Sequence, residues 1–88
     1  MGYLAGMRVA LAATADDAYR RAPEGVQDWA DKVFDWLEED PVNPHARRHR
    51  FSQGLYYVAM RLADQDWALL WEPEGETAFV RYLGPWSP

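Results

Sequence analysis

Residues 26–37 read VQDWADKVFDWL, and the architecture of the whole chain follows from this one segment. Apolar side chains fall at Val26, Trp29, Ala30, Val33, Trp36 and Leu37, at offsets 0, 3, 4, 7, 10 and 11. That spacing is one continuous stripe along an α-helix. Asp28, Asp31, Lys32 and Asp35, with Glu38 and Glu39 just beyond, take the other face, and Pro41 stops the helix because it has no N–H to continue the ladder. A helix with one greasy side needs a greasy surface to lie on, and the flanking sequence must supply it.

Towards the N-terminus, only Pro23-Glu24-Gly25 separates this helix from a shorter one, expected from about Ala15 to Ala22. Thr14 is read as its N-cap, with Asp17 at the capping-box spacing and Asp16 favouring the positive helix start. Two helices this close in sequence form an antiparallel hairpin. Ahead of them, Met7 to Ala12 (MRVALA) reads as a first strand, and residues 1–6 as a flexible leader, with Met7 as a second candidate start.

Towards the C-terminus, Asn43-Pro44 is a further helix start signal, predicting a helical turn through HARRHRF that ends near Ser52-Gln53-Gly54. After Gly54 the period changes to two. Leu55 to Leu62 (LYYVAMRL) places Tyr56, Val58, Met60 and Leu62 on one face and Leu55, Tyr57, Ala59 and Arg61 on the other. Ala63 to Asp66 makes a turn, Trp67 to Trp71 (WALLW) a buried strand, Glu72 to Glu76 a loop, and Thr77 to Leu83 (TAFVRYL) the last strand. The expected fold is α+β: an N-terminal strand, a helical hairpin and a three-stranded antiparallel meander, forming one four-stranded sheet in a single domain over residues 7–88. The first strand can join at an edge or in the middle.

Composition narrows the function. A chain of 88 residues buries a smaller fraction of its surface than a larger domain does, and 49% apolar residues with five tryptophans give it a dense core. The absence of cysteine rules out a disulfide framework and a thiolate zinc site. No apolar run approaches the length of a membrane span, so a cytoplasmic protein is expected. The net charge of −5 opposes nucleic-acid binding over the whole surface, yet His45 to Arg50 (HARRHR) puts three arginines and two histidines in six residues.

On these elements the chain resembles the RelE/ParE-type toxins, the small effectors of type II toxin–antitoxin systems. The resemblance spans residues 7–86. It rests on the helical hairpin ending in Asp40-Pro41, the NPHARRH turn, the glycine before a tyrosine-rich strand, the WALLWEPEGE strand and loop, and the closing FVRYLGPW. It is a likeness of layout. It implies a working surface on the concave sheet face opposite the helices, a cognate antitoxin as partner, and no cofactor or metal. In ribonuclease members that face carries arginines, lysines and a tyrosine or histidine that cleave mRNA on the ribosome; in gyrase-inhibiting members those groups are missing. This chain departs from the ribonuclease pattern twice. Ala68 stands where an arginine is common, and Gly84-Pro85-Trp86 where the last strand usually ends in histidine, arginine or tyrosine.

Metal-free RNA cleavage needs a proton carrier and fixed cations for the charge that builds on phosphorus. Histidine suits the first because its ordinary pKa lies near neutrality, and arginine the second because its planar fork matches phosphate oxygens. The candidate catalytic set is therefore His49 with Arg48, Arg61 and Arg81. Arg47, Arg50 and His45 are candidate phosphate contacts, with Tyr57 or Tyr56 as a base-stacking ring. The competing reading makes HARRHR a solvated turn paired with the acidic helix face. His45 and His49 stand at i, i+4, but no glutamate follows the first histidine and no third ligand is evident, so no metal site is assigned. Trp29, Trp36, Trp67 and Trp71 are assigned to the core. Trp86 is expected to be partly exposed, covering the open sheet face or touching a partner. Two functions follow: a toxin acting on mRNA at the ribosome, or a non-catalytic interaction module on the same fold, either a gyrase inhibitor or a protein that has lost its toxicity.

Overall fold

The alternation after Gly54 becomes a long antiparallel ladder in the computed structural model, which describes residues 8–39, 44–47, 49–52 and 54–86, with the backbone alone at 51 and 52. The elements are β1 (Arg8–Leu11), α1 (Ala13–Arg21), α2 (Glu24–Glu39), α3 (Pro44–Arg47), β2 (His49–Ser52), β3 (Leu55–Leu62), β4 (Gln65–Glu74) and β5 (Thr77–Pro85). The strands form one sheet in the order β1-β5-β4-β3-β2. β1 lies at an edge, parallel to β5, and the remaining pairs are antiparallel.

The sheet has five strands where the sequence reading gives four. The helical turn placed through HARRHRF stops at Arg47, and His49–Ser52 runs as a strand against β3, with His49 opposite Tyr57 and Arg50 opposite Tyr56. Gly54, at φ +77°, takes the left-handed conformation that closes this tight connection, a conformation costly for a residue with a Cβ. Four residues without a clear apolar alternation carry too little signal to declare a strand. Pairing with the tyrosines of β3 makes it one.

Other boundaries shift for local reasons. α1 begins at Ala13 with Ala12 at the N-cap and no side-chain cap, so Thr14 lies inside the first turn. Pro23 ends α1 and also opens α2, since its carbonyl accepts from the N–H groups of both Val26 and Gln27. Gln27 then reaches back, its Nε2 donating at 2.8 Å to the Tyr19 carbonyl, which also accepts from the Ala22 N–H, and at 3.4 Å to the Arg20 carbonyl, so the amide ties the start of α2 to the end of α1. The loop expected over Glu72–Glu76 shrinks to Gly75-Glu76, since β4 extends to Glu74; Pro73 sits beyond the end of β3, where it breaks no bond to that strand. The Asp40-Pro41 helix end, the Asn43 cap and the leader over residues 1–6 lie outside the described residues.

The helices cover one face of the sheet. Val26, Ala30, Val33 and Leu37 of α2 are fully buried, and Ala15, Ala46, Val58, Leu69, Trp71, Ala78, Val80 and Leu83 complete the core. At about 100° per residue these four α2 positions fall within roughly 40° of the stripe's centre. Trp29 and Trp36 lie on one flank and Phe34 on the other, and all three are only half-buried. The assignment of Trp29 and Trp36 to the core is corrected accordingly, and Trp67 is likewise half-buried. Trp71 is the central side chain: its indole N–H donates to the Ala46 carbonyl at 2.9 Å in the interior, and its ring stacks on Tyr56, centroids 5.1 Å apart. No helix of the described residues is long and apolar enough to cross a membrane.

Candidate functional site

Strand alternation sends Tyr57, Ala59 and Arg61 of β3, Ala68 and Leu70 of β4, and Tyr82 and Gly84 of β5 to the face away from the helices. Register then sorts them into rows. His49, Tyr57, Leu70 and Tyr82 are successive cross-strand partners, and so are Ala59, Ala68 and Gly84. The open face is therefore a floor of small residues beside a wall of rings.

Trp86 closes this arrangement. Its N–H donates to the Asp66 carbonyl at 2.8 Å, one rung beyond the Trp67–Pro85 pair, which holds it at the end of the β4–β5 ladder. Its ring lies 6.1 Å from Tyr57, which in turn stacks on His49 at 5.0 Å, and Tyr82 approaches it at 6.5 Å. The Tyr82 hydroxyl donates to the Pro85 carbonyl at 2.6 Å, drawing the ring across Gly84, where a Cβ would come within 2.8 Å of the hydroxyl. Ala68 is fully buried. The position where an arginine is common in the resembled family is thus both occupied by alanine and closed over.

The arginines do not share one location. Arg61 is bound to Asp66 at 2.9 Å. Arg81 sits at the bulge where β4 and β5 change register between Leu70 and Trp71; it pairs with Glu72 and, at 3.0 Å, with Glu74, and lies over the Phe79 ring. From the level of Asp66 to that of the bulge is roughly 15 Å along the strands at ~3.4 Å per residue. Arg47 lies over the Tyr56 and Trp71 rings at 5.3 and 5.2 Å, and Arg50 over Tyr56 at 5.6 Å, so both gather at Tyr56, which faces the helices. Arg48 lies outside the described residues.

The histidines do come together. His45, whose ring is 5.4 Å from Trp36, and His49 line a groove of about 360 Å³ with Trp29, Trp36, Tyr57, Val58 and Ala59. This groove runs along the outer edge of β3 past the point where β2 ends, and His49 stands where it meets the open face. Among the described residues no group of three or more His, Asp or Glu side chains is placed to hold a metal ion. Chemically, the surface offers flat rings for stacking, a histidine for proton transfer, and two arginines, Arg61 and Arg81, each paired with neighbouring carboxylates.

Of the residues singled out in the sequence, His49, Tyr57 and Trp86 lie together on the open face. Sequence reasoning missed Trp29 and Trp36 as groove walls, and Tyr82 with Gly84 as part of the ring wall. The offsets of 29 and 36 at the margin of the helical stripe carried the first signal. The second depends on cross-strand register, which no local pattern displays.

No family model matches the sequence, and no curated protein is detectably similar to it. Solved structures do match. An E. coli RelE toxin with two arginines replaced by alanine, in complex with a peptide of the antitoxin RelB, superposes with a TM-score of 0.75 at 15% identity, covering 94% of this chain and 86% of that one. The same mutant in the free state gives 0.70 at 15% identity, over 90% and 82%. The archaeal RelE–RelB complex of Pyrococcus horikoshii gives 0.57 at 18% identity, over 90% and 93%. The chain has the RelE toxin fold.

Proposed function

From that fold we propose that the protein, with residues 7–88 as one domain, is the toxin-like component of a toxin–antitoxin pair, cytoplasmic and held by a cognate antitoxin. It acts by binding a macromolecular target through the ring wall of its open sheet face. The observation that carries this reading is the packed set His49, Tyr57, Trp86 and Tyr82 on the face left uncovered by the helices. Rings of this kind bury large area at low entropic cost, which suits them to recognition. The neighbours in the E. coli and archaeal complexes are each bound to an antitoxin, which supports a protein partner here.

A second reading, mRNA cleavage at the ribosome, is favoured by His49 stacked on Tyr57: one group able to move a proton beside one able to hold a base. Against it stand the carboxylates on Arg61 and Arg81 and the net charge of −5, since phosphate binding draws on uncompensated cations.

Controlled induction in a bacterial host tests both. Growth arrest relieved by the co-expressed antitoxin is expected, with mRNA 5′ ends unchanged. New 5′ ends that vanish in His49→Ala would establish cleavage in place of binding. Unchanged growth on induction would refute the toxin reading.

A further inference from the structure

Val9 and Leu11 expose a pairing edge. In β1 the N–H groups of Arg8 and Ala12 donate inwards, to the carbonyls of Glu76 and Val80 at 3.0 and 2.9 Å. Backbone groups alternate along a strand, so those of Val9 and Leu11 point outwards, where no strand stands among the described residues. Over this edge lies a groove of about 480 Å³, lined by Val9, Leu11 and Phe34 and by the carboxylates of Asp31, Asp35 and Glu38. Its α2 wall is braced: the Tyr19 hydroxyl donates to Asp31 at 2.5 Å, and the Tyr19 ring packs on Phe34 with centroids 5.8 Å apart. Apolar floor, acidic rim and a strand edge unpaired among the described residues thus coincide.

We infer that this edge is a docking site for an extended cationic segment of a partner protein, which adds as a sixth strand beside β1. Its lysines or arginines, at alternate positions, lay their stems over Val9, Leu11 and Phe34 and their charged heads against Asp31, Asp35 and Glu38. The fit has three parts. Main-chain bonds to Val9 and Leu11 give a strand its affinity. Long cationic side chains cover apolar surface while keeping their charge at the rim. Asp31 and Asp35, one helical turn apart, rise ~6 Å along the axis, close to the ~6.7 Å repeat of same-side residues on a strand. Charge complementarity selects this occupant over the chain's own residues 1–6 (MGYLAG), which carry no cationic side chain, and over a second copy, whose β1 segment brings Arg8 alone. The inference goes beyond the proposed function, which fixes neither the surface nor the chemistry of the partner.

The test titrates the full chain, ¹⁵N-labelled, with the capped peptide Ac-KTKTKTK-NH2 and with its glutamate counterpart Ac-ETETETE-NH2. Saturable shifts at the Val9 and Leu11 amides are expected with the cationic peptide and not with the acidic one. The combined variant Asp31→Asn, Asp35→Asn, Glu38→Gln is expected to weaken binding about tenfold, as loss of three rim ion pairs of ~0.5 kcal/mol each predicts. Its amide oxygen at position 31 still accepts from Tyr19. Val9→Pro, which removes an outward N–H, is expected to abolish binding; if that variant does not fold, the side-chain variant still decides. The inference is overturned by equal binding of the acidic peptide, by affinity unchanged in the side-chain variant, or by no shift at millimolar peptide. Shifts centred on His49 and Tyr57, binding that appears only after residues 1–7 are deleted, or self-association through the same amides would overturn it too. Peptide binding and growth arrest are separate readouts, so failure of one leaves the other standing.

Discussion

Trp71 combines the largest fully buried side chain with a hydrogen bond that ties α3 to the sheet. Replacing it with alanine removes both and leaves a cavity, so Trp71→Ala is expected to cost ~3–5 kcal/mol in urea unfolding. Trp71→Phe keeps most of the packing but strands the Ala46 carbonyl, and ~1–3 kcal/mol is expected. Tyr19 sets a pH dependence. Its hydrogen bond to Asp31, reinforced by desolvation and by the charges of Asp31 and Asp28, holds its hydroxyl pKa above the ordinary 10.0. The folded state therefore keeps the proton longer than the unfolded chain does. Stability from this bond is complete below pH 10.0 and is lost as pH rises through the folded value. Urea midpoints measured across a pH series from about 9 to about 11.5 should fall more steeply in the native sequence than in Tyr19→Phe.

At the scale of elements, β2 depends on its connection. A methyl group added at Gly54 would meet open space, but the residue sits at a φ of +77°, so the cost of Gly54→Ala is backbone strain alone. About 1 kcal/mol is expected. Amide exchange should quicken at His49 and Tyr57, the pair that β2 brings together, while the β4–β5 ladder stays protected. α2 carries the opposite lesson. Its centre is legible from offsets alone, yet its flanks do different work: Trp29 and Trp36 wall a groove at β3, and Phe34 with Asp31 and Glu38 walls one at β1. A round helix meets a sheet along the centre of its stripe, so its flanks stay half-covered, and those margins become grooves.

At the scale of the molecule, the arginines show why composition misleads about charge. Arg61 and Arg81 look like free mid-strand cations in the sequence, since their partners sit five and seven to nine residues away across hairpins. Folding supplies each with carboxylates. Neutralising those carboxylates together (Asp66→Asn, Glu72→Gln, Glu74→Gln) should raise affinity for single-stranded RNA. It should also steepen the dependence of log K on log salt by ~1.4, for two freed phosphate contacts. Fluorescence anisotropy across a salt series reads both, and no change in slope would show that these arginines do not face RNA.

Spacing within a dozen residues was enough to read the α+β class, the helical hairpin, the three late strands and the small-residue departures at Ala68 and Gly84. It was also enough to single out His49, Tyr57 and Trp86. Three outcomes waited for the folded chain: His49–Ser52 is a strand, β1 takes the edge beside β5, and tryptophans 29 and 36 stand at a groove rather than in the core. Those outcomes turn on cross-strand register and on how far a sheet extends beneath a helix. Both are set by contacts between residues distant in the chain, and local periodicity does not contain them.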